Sequence, residues 1–221
     1  MRSALLLPGH VRAYKQTFQN QFEKIIKPNN CDIFISTSTV NTIVDGSLIT
    51  PTEKNSETLE QELREFYRDL IKGLSIEEEG VKSKSFLATV RDNHPDRSKQ
   101  WKRLLECNQM RKKYEEEHGF KYDFVIRSRT DLLFTEKLKA SMYPEHVNLF
   151  RHFDNKIEIH DQFAFSGSDL MDIYCDLISA WQPRSVAGRS EKQLHDWLRR
   201  NNVSFSYLNN ICSFQMLRGV E

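Results

Sequence analysis

The chain has 221 residues, 38% of them apolar with 14 Phe, against only 8 Gly and 6 Pro, which excludes wholesale disorder and supplies core for one α/β domain over residues 1–221. Lys and Arg number 32 and Asp and Glu 31, so overall charge makes no case for a nucleic-acid partner or an anionic membrane surface. Cys31, Cys107, Cys175 and Cys212 are too scattered for a disulfide framework or a metal-ligand run and read as reduced, packed thiols.

Residues 3–7 read as a first strand whose continuous apolar run, Ala4-Leu5-Leu6-Leu7, fits a strand covered on both faces. The run is too short for a signal peptide or a span, and a cytoplasmic protein is expected. Pro8-Gly9 turns the chain into a helix predicted from Val11 to Lys27, with Tyr14, Phe18, Phe22 and Ile25 on one face. Pro28-Asn29-Asn30 ends it, and Cys31 to Ser36 reads as a second strand, completing a unit of the kind that builds parallel sheet. Residues 40–52 show a weak polar pattern, whereas Leu59, Leu63, Phe66 and Leu70 mark a helix predicted from Glu53 to Lys72. Glu77-Glu78-Glu79-Gly80 looks like a solvated turn, Ser85 to Val90 like a short strand, and Asn93-His94-Pro95-Asp96 like a break. A long helix from Ser98 to Glu117 follows, packing Trp101, Leu104, Leu105 and Tyr114 inward and ending at Gly119. Further strands are predicted at Tyr122–Arg127, Leu149–His152, Ile157–Phe165 and Val203–Leu208. Ser168 reads as the cap of a helix burying Leu170, Ile173, Leu177, Ile178 and Trp181, and Ser190-Glu191-Lys192-Gln193 has capping-box form for a last helix to Arg200.

The chemistry concentrates where the strand Tyr122–Arg127 runs into Ser128-Arg129-Thr130-Asp131. If the strand persists, Arg127, Arg129 and Asp131 share a face, a row that suits phosphate oxygens and a divalent cation. The alternative is an exposed strand end with solvated charges. Gly9, His10 and Arg12 follow the first strand, where backbone N–H groups and a guanidinium meet phosphates in many α/β folds; an ordinary turn is the competing account. Thr37 and Ser38 end the second strand, placed to meet a base or ribose although polar residues end most strands, and Gln100 and Arg103 lie one turn apart near the start of the long helix. Basic and aromatic residues alternate from Arg91 to Tyr114, but Glu106 and Glu115 to Glu117 interrupt them, which weighs against single-stranded nucleic acid. Asp161 breaks the apolar run from Ile159 to Phe163, and a buried carboxylate needs compensation.

Taken in order, Leu6 to Arg12, Cys31 to Ile35, Tyr122 to Phe134, His160 to Phe165 and Met171 to Tyr174 resemble the small GT-A-type glycosyltransferases encoded by large DNA viruses and bacterial surface-glycan loci. The resemblance implies a GT-A-like, Rossmann-like fold, a largely parallel central sheet flanked by helices, with a nucleotide-sugar donor at the carboxyl ends of its strands and a glycan acceptor beside it. It also raises the prospect of further domains after residue 221. Asp131 matches the final acid of the family's Asp-x-Asp, implying Mn2+ or Mg2+, while Arg129 occupies the place of the first acid. Asp161 is the implied base, and Gly9, His10, Arg12, Thr37, Gln100, Arg103, Arg127 and Arg129 are the implied donor-binding set. A sugar nucleotidyltransferase would want a Gly-richer first loop. A non-catalytic glycan-binding or scaffold domain is the alternative that Arg129 keeps open.

Overall fold

The computed structural model of the protein describes residues 1–45, 48–79, 98–142, 145–151, 159–182, 189–209 and 211–217. Strand β1 (Ser3–Pro8), buried at every position, lies between β2 (Cys31–Ser38) and β6 (Phe124–Arg127), parallel to both. Beyond β2, β5 (Ile71–Glu77) adds a parallel edge. On the other side β9 (Ile159–Gly167) runs antiparallel to β6, followed by β8 (Val147–Arg151) and β10 (Phe205–Tyr207). The seven-stranded order β10-β8-β9-β6-β1-β2-β5 is antiparallel only at β9, the mostly parallel, Rossmann-like architecture expected.

Both faces are covered. Leu5, Leu7, Ile33, Ile35 and Ile126 pack against helix α1 (Tyr14–Gln21, continued by a π turn over Phe22–Ile26) and helix α2 (Ser56–Tyr67), whose first turn Asn55 caps. Ala4, Leu6, Phe34 and Val125 face the long helix α3 (Ser98–His118), helix α4 (Ser168–Cys175) and helix α5 (Ser190–Arg200). Alternate residues of one strand thus feed two cores, which is why β1 reads as an unbroken apolar run. Helix α3 stops where expected, at Gly119 with φ +66. Its lower half is anchored by Arg111, wholly buried, whose guanidinium donates to Asn108 (2.9 Å), Glu115 (2.7 Å) and Asp172 of α4 (2.5 Å).

Several boundaries differ from the sequence reading. The first helix begins at Tyr14 because Ala13 adopts a left-handed φ of 48, so residues 9–12 form a loop. The weak stretch after β2 is a hairpin of β3 (Val40–Asp45) and β4 (Leu48–Glu53), and the helix predicted to Lys72 ends at Tyr67 before β5. Neither serine caps its helix: Ser168 Oγ donates to the Tyr122 carbonyl and Ser190 Oγ to Asp161. The fully buried apolar residues of α4 are Met171, Tyr174 and Cys175, with Leu170 and Ile173 only partly covered, while Leu177 is buried as expected in the 3-10 turn that follows. The predicted strand Ser85–Val90, the break at residues 93–96 and His152 lie outside the described residues. All four cysteines are free and buried, and among the described residues no helix is long and apolar enough to cross a membrane.

Candidate functional site

The site lies at the carboxyl edge of β1, β2 and β6, where α3 begins. Strand β6 ends at Arg127, and the chain turns through Thr130-Asp131 into β7 (Leu132–Phe134), which pairs with β11 (Phe214–Met216). Helix α1 fixes that turn: Gln21 Nε2 donates to the carbonyls of Arg129 and Leu132 at 2.9 Å each, and Thr17 Oγ1 donates to the carbonyl of Thr130. With those carbonyls taken by side chains no strand ladder continues. Arg127, Arg129 and Asp131 therefore do not form the row the sequence predicted.

Arg129 turns instead onto Asp131. Its Nε and Nη2 donate to Oδ1 and Oδ2 at 2.9 and 2.6 Å, a two-pronged grip on a carboxylate only 2% exposed. Burial alone would lower the Arg129 pKa; Asp131 more than offsets this, Asp161 adds to it, and the guanidinium stays charged. Arg129 itself is 22% exposed, and the grip uses only two of its five N–H donors. Asp131 was the expected ligand for Mn2+ or Mg2+. Both its oxygens already hold a cationic fork, and among the described residues no three His, Cys, Asp or Glu gather around a common point. In this arrangement Asp131 is committed to Arg129.

The loop over residues 9–12 packs on the same turn. Gly9, at φ +102, donates its N–H to the Ser36 carbonyl (2.9 Å), a conformation that side chains strain to reach. Thr130 Oγ1 donates to the carbonyls of Arg12 (2.9 Å) and His10 (3.3 Å). His10 Nδ1 lies 2.6 Å from the Val40 carbonyl, which also accepts from Ser38 Oγ at 3.1 Å. A carbonyl only accepts, so Nδ1 carries the proton and Nε2 is left as an acceptor. Burial, then the charges of Arg12, Arg103 and Arg129, lower the His10 pKa from 6.5 to about 3, even though the bond to Val40 pulls the other way. His10 therefore stays neutral, and three guanidiniums act on one point.

From α3, Arg103 Nη2 reaches Glu77 Oε2 at 2.8 Å and Glu79 Oε1 at 3.4 Å; those acids, read earlier as a solvated turn, orient the arginine. Gln100 Nε2 points at Asp161 Oδ2 over 3.5 Å, and Ser190 Oγ of α5 donates to the same oxygen at 2.9 Å. Asp161, 6% exposed, owes its place to an irregular strand: Leu149 pairs with Ala164 and Arg151 with Ile159, so five steps of β9 face two of β8. That bulge turns Ile159 into the same core as Ala164 and brings Asp161 to the helices α3 and α5. His160 sits edge-on to Phe214, 5.5 Å between ring centres.

The structure thus gathers Gly9, His10, Arg12, Gln100, Arg103, Arg129, Asp131 and Asp161 in one region. Two expected residues stand apart. Thr37 is wholly buried, alternating with Ile33 and Ile35 toward α1 and α2, and its Oγ1 has no hydrogen-bond partner among the described residues. Arg127 is wholly buried on the α3 side, level with Leu6 and Ala164. Sequence reasoning missed Ser190, whose capping-box setting disguised it, and Glu77 and Glu79, which carried no signal beyond ordinary polarity, whereas Ser38, expected beside Thr37, shares the Val40 carbonyl with His10. Compared with known proteins, the chain matches no family model and no curated sequence.

Proposed function

We propose that the chain is a glycosyltransferase moving a sugar from a nucleotide-diphosphate donor, a UDP-sugar foremost, to a carbohydrate acceptor. The observation that carries this reading is the convergence of Arg12, Arg103 and Arg129 on a neutral His10 at the carboxyl edge of parallel strands, with the buried Asp161 in the field of Arg129. Guanidinium donors not spent on Glu77, Glu79 and Asp131 can meet an anion there, and a diphosphate leaving group gains negative charge as its bond breaks. The donors of Arg129 not engaged with Asp131 hold the phosphates; His10 Nε2 accepts from a base or ribose donor.

In the proposed step Asp161 takes the proton of the acceptor hydroxyl. The oxygen forms its bond to the anomeric carbon as the bond to the β-phosphate breaks, the diphosphate leaving with the electron pair and the configuration inverting. Ser190 and Gln100 hold the carboxylate in line. The test is a panel of nucleotide-sugars screened for thermal stabilisation and slow hydrolysis, with wild type beside Asp161→Asn. Expected are a UDP-sugar that raises the melting point of both and turnover at least about 100-fold lower in the variant. A protein that no nucleotide stabilises is a scaffold or glycan-binding domain, and the reading falls.

A further inference from the structure

Two arginines on the α3 face of the sheet are wholly buried, and they are opposites. Arg111 is satisfied by Asn108, Glu115 and Asp172. Arg127 has no hydrogen-bond partner among the described residues for Nε, Nη1 or Nη2. A buried guanidinium without a counter-ion is among the costliest arrangements a fold can hold. Two more buried groups on this face share the condition. Trp101 Nε1 and Tyr174 Oη have no partner among the described residues, both residues are wholly buried, and their rings lie 5.7 Å apart.

Register places these groups together. Arg127 pairs across the sheet with Leu6 and Ala164, members of the same core as Trp101, Tyr174 and Cys175. The charge of Arg127 is felt by Tyr174 and Cys175, whereas His10 feels Arg12, Arg103 and Arg129. Leu6 is two residues short of the end of β1, so Arg127 starts roughly 7 Å beneath the edge where the other guanidiniums lie.

We propose that Arg127, Tyr174 and Trp101 form an oxyanion pocket beneath the cleft floor that takes the carboxylate of an acidic sugar. Every unsatisfied group there offers an N–H or O–H donor, so the complementary ligand is an acceptor, and the guanidinium calls for a negative one. One guanidinium balances one negative charge. A carboxylate closes that balance and matches the planar fork, while a phosphate dianion would bury an excess charge near Asp161, whose charge already bears on Tyr174. Because the three residues are wholly buried, the carboxylate reaches them only by displacing part of this wall. The identity of the carrier rests on the nucleotide-sugar reading; the pocket does not.

The test compares wild type with Arg127→Met by calorimetry and thermal shift, using UDP, UDP-glucose, UDP-glucuronate, free glucuronate and inorganic phosphate. The variant is expected to fold with an unchanged or higher melting point, since it removes an unpaired buried charge. Wild type should bind UDP-glucuronate about tenfold to a hundredfold more tightly than UDP-glucose, the preference vanishing in Arg127→Met while UDP binds both proteins alike. Loss of UDP binding in the variant would put Arg127 on the diphosphate and overturn the pocket while leaving the transferase reading intact. If no nucleotide binds either protein, that reading fails, and stabilisation of wild type alone by glucuronate still upholds the pocket. Equal behaviour of both proteins toward every probe, or a response to phosphate without one to glucuronate, overturns the proposal.

Discussion

Replacing Arg129 by Met tests the structure at the place where it departs most from the sequence reading. The substitution keeps length and apolar stem but strips Asp131 of both bonds, at 2.9 and 2.6 Å, leaving a carboxylate that is 2% exposed without its cation. Breaking a buried pair from one side costs about 3–5 kcal/mol, against about 0–1 kcal/mol for a surface pair. At this chain length 1 kcal/mol moves the melting point by about 2–4 °C, so a fall of roughly 6–20 °C is expected. Urea unfolding of Arg129→Met, Asp131→Asn and the double variant closes a double-mutant cycle. The double variant should be more stable than Arg129→Met alone, with a coupling of about 2 kcal/mol or more. A single-variant loss below about 1 kcal/mol with coupling near zero would show that the pair is solvated and refute the buried grip.

The His10 shift predicts an acid-sensitive fold. Because its folded pKa of about 3 lies below the free value of 6.5, the unfolded chain takes up a proton that the folded one refuses. Its contribution is complete above pH 6.5 and is lost as pH falls toward 3, at about 1.4 kcal/mol per pH unit at most. In His10→Gln that slope should disappear from the difference in urea stability between pH 7 and pH 4; parallel curves would refute the burial. Arg111→Met should cost about 3–5 kcal/mol by leaving Glu115 and Asp172 without their shared cation, and adding Glu115→Gln should recover part of it in the same unfolding assay.

What was legible in the sequence follows what local pattern encodes. The β1 apolar run, the Tyr14, Phe18, Phe22 and Ile25 stripe and the Gly119 stop each reflect a neighbourhood of a few residues, and each appears in the fold. Strand β5 went unread, only its ends falling in the predicted helix and acidic turn, because its half-covered residues have no clean period; it exists because β2 offers it an edge. The Gly9 loop and the start of α3 were placed near the site by the rule that α/β ligands meet the carboxyl ends of strands. Whether Arg129 would reach out to a ligand or back to Asp131 was not encoded locally, since it depended on Thr17 and Gln21 of a distant helix bending the turn. Ser190 was hidden likewise: its hydroxyl serves Asp161 rather than its own helix, and Gln193 Oε1 accepts from the backbone of Gln182.

The long helix has a consequence for how such a protein changes over time. Its 21 residues make an unkinked beam about 30 Å long, clamped at one end by Arg111 and Glu115 and presenting Gln100 and Arg103 at the other. On the proposed function, a substitution at the clamp acts on Gln100 and Arg103 together, the two residues that face Asp161 and Glu77 of β5. A change in which ligand the proposed site prefers is therefore more readily acquired at Gln100 and Arg103 themselves than along the shaft.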